Sequence, residues 1–252
     1  MFDLHGRVAV VTGASAGLGR QFALALARQG ADLVLLARRK EKLDVVAEEI
    51  REKSGVSVLP IKCDVTHEDE VKAALQATLD RFDKVDILVN NAGRGFQSPL
   101  EEYPLEGWRT VTAVDLDAVM MCTREFGREM VKNKYGRIIN IASVMGAGGL
   151  REVHVAAYHA CKGAVINFTR AAAAEWAQTG VTVNCILPGF FESEANSPER
   201  MEKMSSWINA HTPMGRPGNE GELDSTVCFL AADESTYVTG AIVPCDGGWT
   251  SI

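Results

Sequence analysis

Short apolar runs alternate with helical patterns along most of the chain. The runs are rich in Val, Ile and Leu, which is typical of strands that are buried on both faces. Such strands, separated by helices, predict a parallel sheet that helices cover on both sides. The predicted strands are residues 8–11, 33–36, 56–61, 87–89, 138–141, 181–187 and 241–243. The predicted helices are residues 17–29, 40–53, 68–82, 105–132, 155–178 and 220–232.

The alternation continues without a linker, a repeat or a low-complexity segment. With 252 residues, 46% of them apolar, the chain is long enough to bury one large core. We therefore expect a single dinucleotide-binding and catalytic domain at residues 1–252. Its fold class is α/β, a Rossmann-type doubly wound parallel sheet with helices on both faces.

One segment breaks the alternation. Residues 190–218 follow a predicted strand and contain Pro198, Pro213 and Pro217 among polar and apolar side chains. A long excursion between sheet elements often covers a binding site. We expect a substrate lid at about 190–218, and a plain surface helix is the alternative.

The overall charge and composition exclude several classes of function. The formal net charge is −7, whereas nucleic-acid binding needs a basic surface. No apolar run approaches the roughly 20 residues of a membrane-spanning helix, and the start of the chain lacks the pattern of a signal peptide. The six cysteines form no C-x-x-C pair and no zinc-ligand spacing. We therefore expect a cytoplasmic protein that binds no nucleic acid, membrane or metal.

A glycine-rich turn joins the first predicted strand to the first predicted helix. Its sequence is Thr12-Gly13-x-x-x-Gly17-x-Gly19, with Ser15 and Leu18 between the glycines. Glycines let the backbone approach a diphosphate, and the helix N-terminus supplies free N–H donors and a favourable dipole. No Gly-Lys-Ser/Thr follows, which excludes a P-loop. The turn predicts nucleotide binding.

Two arginines follow the second predicted strand. An acidic residue at that position would bind the ribose hydroxyls of NAD, but Arg38 and Arg39 stand there instead. Paired guanidinium donors fit a 2′-phosphate, which favours NADP(H). The alternative is that both side chains are solvated or stack on the adenine. Ala16, rather than a basic residue, stands in the glycine turn, so NAD(H) stays open as well.

Tyr158 and Lys162 stand four residues apart inside a predicted helix, which places them on one face. A phenol has an unperturbed pKa of about 10, and a nearby ammonium favours the phenolate. The spacing predicts a tyrosine whose pKa falls into the range for general acid–base catalysis. The alternative is two side chains that share a solvated face. Cys161 lies between them at a different helical angle, so we expect no catalytic role for its thiol.

Together these features resemble the classical short-chain dehydrogenase/reductase family across essentially the whole chain. The matching motifs are Thr12-Gly13-x-x-x-Gly17-x-Gly19, Asp64-Val65, Asn90-Asn91-Ala92-Gly93, Ser143, Tyr158-x-x-x-Lys162, Asn184 and Pro188-Gly189. The resemblance implies an oxidoreductase that transfers a hydride between NADP(H) and a secondary alcohol or ketone. It also implies a homotetramer built through the two long helices, residues 105–132 and 155–178.

The resemblance also implies roles for individual residues. Ser143 would bind the substrate oxygen, Tyr158 would exchange the proton with it, and Lys162 would hold the nicotinamide ribose and lower the pKa of Tyr158. Asn90 would brace the sheet. The cofactor would be held by Gly13, Ser15, Gly17, Leu18, Gly19, Arg38, Arg39, Asp64, Val65, Asn91, Ala92, Gly93, Tyr158, Lys162, Pro188, Gly189, Phe191 and Ser193.

Two features depart from the family pattern. Asp115 occupies the position at which the family usually carries an asparagine that holds a water of the proton relay. We expect Asp115 in the catalytic group, raising the pKa of the relay or binding Lys162 through water, and a structural helix residue is the alternative. The loop between Ser143 and Tyr158 is also slightly long, and its Arg151, Glu152 and His154 either bind a polar substrate or face solvent.

The substrate stays open at this stage. Asp115 and the segment at residues 188–193 are similar to gluconate 5-dehydrogenase-like members, while 3-oxoacyl-thioester reductases and hydroxysteroid dehydrogenases are the alternatives. Polar candidates are Arg94, Arg151, Glu152 and His154; apolar candidates are Met145, Phe190, Phe191, Met201, Met204 and Trp207. A nucleotide-sensing relative without catalysis is the other class, and the retained Ser143, Tyr158 and Lys162 favour the enzyme.

Overall fold

Seven parallel strands form one sheet in the computed structural model of the chain, in the order β3-β2-β1-β4-β5-β6-β7. The structure describes residues 2–151, 153–191 and 198–252. The strands are β1 (Val8–Thr12), β2 (Asp32–Ala37), β3 (Val58–Lys62), β4 (Ile87–Asn90), β5 (Gly136–Ile141), β6 (Val181–Pro188) and β7 (Ile242–Cys245). Every neighbouring pair runs parallel, as the apolar runs predict.

Helices cover both faces of the sheet. They are α1 (Gly17–Arg28), α2 (Lys40–Ser54), α3 (Glu68–Phe82), α4 (Leu105–Thr112), α5 (Ala118–Lys132), α6 (Ala156–Trp176), α7 (Pro198–His211) and α8 (Asp224–Ala231). Alternate strand residues face opposite sides: Val11 packs with α1, α2 and α8, whereas Val10 packs with α3, α5 and α6. The predicted α/β fold with a doubly wound parallel sheet is confirmed.

The order of the strands reverses beside β1. The chain builds outward from β1 to β3 and then returns to place β4 on the other side of β1. A crevice opens at such a reversal, outside the carboxyl ends of the strands, and ligands bind there in sheets of this type. The glycine turn follows β1 and Asn91 follows β4, so both predicted motifs border this crevice.

The long helix predicted at residues 105–132 is interrupted in its middle. The α4 helix ends at Thr112, one π-helical turn spans Ala113–Asp117, and α5 begins at Ala118. Single π-turns of this kind are often found at functional sites. Here the turn contains the buried side chain of Asp115.

The predicted lid contains a helix. Within residues 190–218, α7 spans Pro198–His211, and whether this helix acts as a substrate lid stays a prediction. Residues 192–197, including Ser193, lie outside the described part of the chain, as does Glu152. Among the helices that the structure describes, none is long and apolar enough to cross a membrane.

Candidate active site

A cavity of about 510 Å³ lies at the carboxyl edge of the sheet, where the strand order reverses. It extends from the glycine turn to the end of β6. Its walls include nearly all the residues predicted to bind the cofactor: Gly13, Ser15, Gly17, Leu18, Gly19, Arg38, Arg39, Asp64, Val65, Asn91, Ala92, Gly93, Tyr158, Lys162, Pro188, Gly189 and Phe191. Ser143 lines it as well, whereas Ser193 lies outside the described residues.

The glycine turn has a shape that side chains would block. Gly13 has a φ of +67°, in the left-handed region that favours glycine. A Cβ on Gly19 would lie 2.3 Å from the carbonyl oxygen of Gly13. The Asn91 amide donates to the Thr12 carbonyl over 2.9 Å, which ties the turn to the end of β4. The turn thus presents the N-terminus of α1 to the cavity as a cradle for a diphosphate.

Two basic side chains follow β2 and lie at the same end of the crevice as the glycine turn. The Arg39 guanidinium donates to the Ser15 hydroxyl over 3.0 Å, and Arg38 lies 3.8 Å from the Asp64 carboxylate. Burial opposes ionisation of Asp64, but hydrogen bonds from Thr66 and the charge of Arg38 lower the pKa of this carboxyl. Two guanidinium groups therefore stand beside the glycine turn, as a 2′-phosphate would require.

Ser143, Tyr158 and Lys162 meet at the other end of the cavity. Ser143 follows β5, and its hydroxyl accepts a hydrogen bond from the Met145 N–H over 3.2 Å and also contacts the Tyr158 hydroxyl. The Lys162 ammonium lies 5.3 Å from the centre of the Tyr158 ring. It donates to the Ile141 carbonyl over 3.0 Å. The three predicted catalytic side chains, one after β5 and two in α6, thus lie together.

Asp115 contacts Lys162 directly. One carboxylate oxygen, Oδ1, lies 3.0 Å from the Lys162 ammonium, and the other accepts a hydrogen bond from the Arg94 N–H over 2.9 Å. The side chain of Asp115 is fully buried. The expected water-mediated contact with Lys162 is therefore corrected to a direct ion pair, because a separation of 3.0 Å leaves no room for a water between the two groups.

The charges around Tyr158 act in opposite directions. Burial raises the pKa of Tyr158, and Asp115 adds to this effect, while Lys162 and the Ser143 hydroxyl oppose it. The net pKa of Tyr158 is raised, so the predicted lowering by Lys162 is wrong as a net effect. Burial also disfavours the Lys162 ammonium, yet Asp115 and Tyr158 raise the pKa of Lys162 to about 12.

Three further residues singled out by the sequence lie beside the site. Asn90 braces the sheet as predicted, since its amide donates to Asn140 and Thr123 over 2.9 and 3.0 Å. Asn184 ties β6 to the segment that precedes β7, donating to the Val238 carbonyl over 2.8 Å. The Cys161 thiol points away from the cavity towards the Thr112 hydroxyl, 3.9 Å distant, as its helical angle predicts.

The wall beside Tyr158 is mainly apolar. Of the polar substrate candidates in the described part of the chain, Arg94 lines the cavity, while Arg151 and His154 are exposed elsewhere. Of the apolar candidates, the wall includes Met145, Phe190 and Phe191, but not Met204 or Trp207; the side chain of Met201 is not described. The sequence reading missed Val114, Val144, Val153 and Val155. For Val153 and Val155, the alternation of apolar and polar residues at 150–155 was an available signal.

Comparison with known proteins agrees with this geometry. A family model described as Enoyl-(Acyl carrier protein) reductase matches residues 13–250. Galactitol 2-dehydrogenase (L-tagatose-forming) of Cereibacter sphaeroides is 40% identical, over 99% of this chain and 97% of that protein. The chain belongs to the short-chain dehydrogenase/reductase family. The predicted enzyme class, an NAD(P)-dependent oxidoreductase, is thereby confirmed.

Other short-chain dehydrogenases/reductases resemble the chain equally well. A 3-oxoacyl-(acyl-carrier-protein) reductase of Synechocystis is 39% identical, over 98% of both chains. The crystal structure of a short-chain type dehydrogenase/reductase from Mycobacterium marinum superposes with a TM-score of 0.95 at 34% identity, covering 100% of this chain and 98% of that one. A gluconate 5-dehydrogenase from Burkholderia cenocepacia, solved with NADP and tartrate, gives 0.92 at 36% identity, with 100% and 98% covered.

Proposed function

We propose that this protein transfers a hydride between NADP(H) and a secondary alcohol or ketone, with Tyr158 as the general acid and base. One observation carries the proposal: Ser143, Tyr158 and Lys162 converge at one end of a cavity whose other end carries a glycine cradle and two arginines. A protein that only senses nucleotides has no need for a phenol and a hydroxyl placed together beside the nucleotide.

The residues present fit a dinucleotide with a 2′-phosphate. The glycine turn would hold the diphosphate, Arg38 and Arg39 the 2′-phosphate, and Lys162 the nicotinamide ribose. A solved gluconate 5-dehydrogenase from Burkholderia cenocepacia contains NADP, which supports this choice. When bound, the nicotinamide supplies or accepts the hydride. NAD(H) remains the second candidate, because Ala16 leaves the glycine turn without a basic side chain.

The side chains of this chain handle the proton. During reduction, the Ser143 hydroxyl orients the substrate carbonyl and the Tyr158 hydroxyl donates its proton to the carbonyl oxygen. Both groups also stabilise the negative charge that develops on this oxygen. During oxidation, the Tyr158 phenolate removes the proton from the alcohol. General acid–base catalysis of this kind contributes about 10²–10⁴-fold to the rate.

The wall of the cavity narrows the choice of substrate. Met145, Val153, Val155 and Phe190 provide apolar walls of the same cavity as Tyr158, and Arg94 adds a cation to that lining besides Lys162. The apolar wall favours a substrate with an acyl chain, such as a 3-oxoacyl thioester, whereas Arg94 favours an anionic group such as the carboxylate of a sugar acid. Hydroxysteroids, which lack the anionic group, fit less well.

A substrate panel tests the proposal. Galactitol, gluconate, 3-oxoacyl thioesters and hydroxysteroids would be assayed with both cofactors, in the direction that each compound allows. We expect turnover of at least one compound, with a higher kcat/KM for NADP(H) than for NAD(H). Tight binding of NADPH without turnover of any compound would instead support the nucleotide-sensing alternative.

A further inference from the structure

Both oxygens of the Asp115 carboxylate face hydrogen-bond donors. Oδ2 accepts from the Arg94 backbone N–H over 2.9 Å, and Oδ1 lies 3.0 Å from the Lys162 ammonium. Neither donor can accept a hydrogen bond in return. An asparagine at this position would turn its NH₂ group towards one of them. The site therefore fits a carboxylate with two acceptor oxygens and disfavours the amide that the family usually carries.

The surrounding backbone holds the ion pair in place. A Cβ on Gly93 would lie 2.8 Å from Oδ1 of Asp115 and 3.5 Å from the Lys162 ammonium, so glycine leaves the space in which the two charges meet. The Ile141 carbonyl accepts from the same ammonium over 3.0 Å. Both charged groups are almost completely buried. The pair is thus fixed from several elements and shielded from solvent. Charges interact more strongly in such a buried place than in water.

We propose that Asp115 is a positioning residue that acts as the fixed counter-ion of Lys162, and that its charge sets the pH at which Tyr158 gives up its proton. The inference rests on the proposed role of Tyr158 as acid and base. An unpaired ammonium one helical turn away would favour the phenolate, but a carboxylate in contact with it offsets much of this effect. Tyr158 then stays a phenol, ready to donate, over a wider range of pH.

Other groups around the pair do not replace this charge. The Cys185 thiol faces Lys162 from β6, and burial raises its pKa to about 11, so it is neutral at physiological pH. Burial likewise raises the pKa of Cys161. The titratable and charged groups that face the pair or its neighbours from the packed elements are Arg94, Tyr103, Asp117, Tyr158, Cys161, Arg170 and Cys185, and the Ser143 hydroxyl adds a hydrogen bond to Tyr158. Of the two carboxylates in this set, Asp115 contacts Lys162, whereas Asp117 is exposed to solvent.

The consequence differs between the two directions of the reaction. Reduction needs Tyr158 as a phenol, and a retained proton favours this direction at neutral pH. Oxidation needs the phenolate, so the wild-type protein should oxidise alcohols best at alkaline pH. Removing the negative charge of Asp115 should let Tyr158 ionise at lower pH. The pH profile of alcohol oxidation should then also move to lower pH.

The test is a titration of Tyr158 by phenolate absorbance, compared between the wild type and Asp115→Asn. The chain has four tyrosines, so the signal of Tyr158 is obtained as the difference between each protein and the same protein with Tyr158→Phe. We expect Tyr158 to ionise about one to two pH units lower in Asp115→Asn. The matched control is Asp117→Asn, which removes an exposed carboxylate from the same π-turn and should titrate as the wild type.

A second variant and a second readout complete the experiment. Asp115→Ser also removes the charge but leaves room for water, and it should show the same shift of the Tyr158 titration. It serves as the test variant if Asp115→Asn fails to fold. The pH dependence of kcat/KM for alcohol oxidation is recorded in parallel. An unchanged phenolate titration in the folded variant overturns the role of Asp115. A shifted titration with an unshifted rate profile upholds the counter-ion and instead contradicts the proposed role of Tyr158 in catalysis.

Discussion

Lys162 is held by two contacts with the protein itself. Its ammonium donates to the Ile141 carbonyl and pairs with Asp115, both at 3.0 Å. An ammonium has three N–H donors, so donor capacity remains for a cofactor hydroxyl. The lysine is therefore oriented before any ligand binds, and the binding energy of the cofactor need not be used to order it. A preorganised cation beside Tyr158 follows from contacts of the protein alone.

Replacing Tyr158 by phenylalanine should separate catalysis from binding. Loss of the hydroxyl removes the proton donor, so we expect kcat to fall by about 10²–10⁴-fold or below detection. The dissociation constant for NADPH, measured by fluorescence titration, should change little. Tyr103→Phe is the control, because its hydroxyl donates to the Phe96 carbonyl over 2.9 Å outside the cavity. Wild-type turnover in Tyr158→Phe would contradict the assignment.

Replacing Arg38 and Arg39 together by alanine should weaken the binding of NADPH more than that of NADH. Hydrogen bonds to charged groups contribute about 1.5–3 kcal/mol. We expect the KM for NADPH to rise about tenfold to hundredfold, with the KM for NADH nearly unchanged. Steady-state kinetics with both cofactors measure the ratio. Arg28→Ala is a suitable control, since that guanidinium pairs with Asp224 on the surface. Equal changes for both cofactors would exclude recognition of the 2′-phosphate.

Elements differ in how far their sequence determines them. The strands were predictable to within about two residues, because uninterrupted Val, Ile and Leu runs fit a doubly covered parallel sheet and little else. The π-turn at Ala113–Asp117 was not predicted, since its sequence fits a continuous helix and the contacts of Asp115 within it are to Arg94 and Lys162, far away in the sequence. The net raising of the pKa of Tyr158 escaped prediction for the same reason. It depends on burial and on Asp115, which spacing within one helix does not show.

At the scale of single elements, a substitution in the glycine turn before α1 tests whether this turn binds the cofactor. In Gly19→Ala, the new Cβ would lie 2.3 Å from the carbonyl oxygen of Gly13, so the turn must open and the cradle for the diphosphate is lost. We expect NADPH affinity to fall at least about tenfold, with a lower Tm as well. Calorimetric titration and thermal unfolding measure the two effects. Gly148→Ala should change neither quantity, because a Cβ there meets nothing within 4 Å. Unaltered affinity in Gly19→Ala would show that the turn does not hold the cofactor.

At the scale of the whole molecule, the parallel sheet explains why a site whose residues are far apart in the sequence could still be predicted. Parallel strands end at the same edge of a sheet, so the residues after β1, β2, β4, β5 and β6 meet there without any local contact in the sequence. Gly13, Arg38, Asn91, Ser143 and Pro188 all follow or end such strands. The topology thus gathers the motifs once their strands are recognised. It does not determine side-chain distances, which is why the ion pair of Asp115 required the structure.

The homotetramer remains a prediction, and substitutions in α6 can test it. In the Ala171–Ala174 run, Ala172 and Ala173 pack into the core, while Ala171 and Ala174 are exposed. On the neighbouring α5, Met120 is exposed as well. We expect a homotetramer in which these outer faces of the two long helices meet a second copy, because small side chains allow helices to approach closely. Ala174→Arg should then yield a smaller species.

Light scattering coupled to gel filtration would measure both masses at micromolar concentration. The control is Val45→Arg, which places the same charge at an exposed apolar position of α2 and should leave the mass of the wild type unchanged. The comparison matters because an arginine can disturb any surface, whereas a loss of subunits specific to position 174 identifies the contact face. A monomeric wild-type protein would contradict the tetramer itself. A tetrameric Ala174→Arg variant would place the interface away from the exposed face of α6.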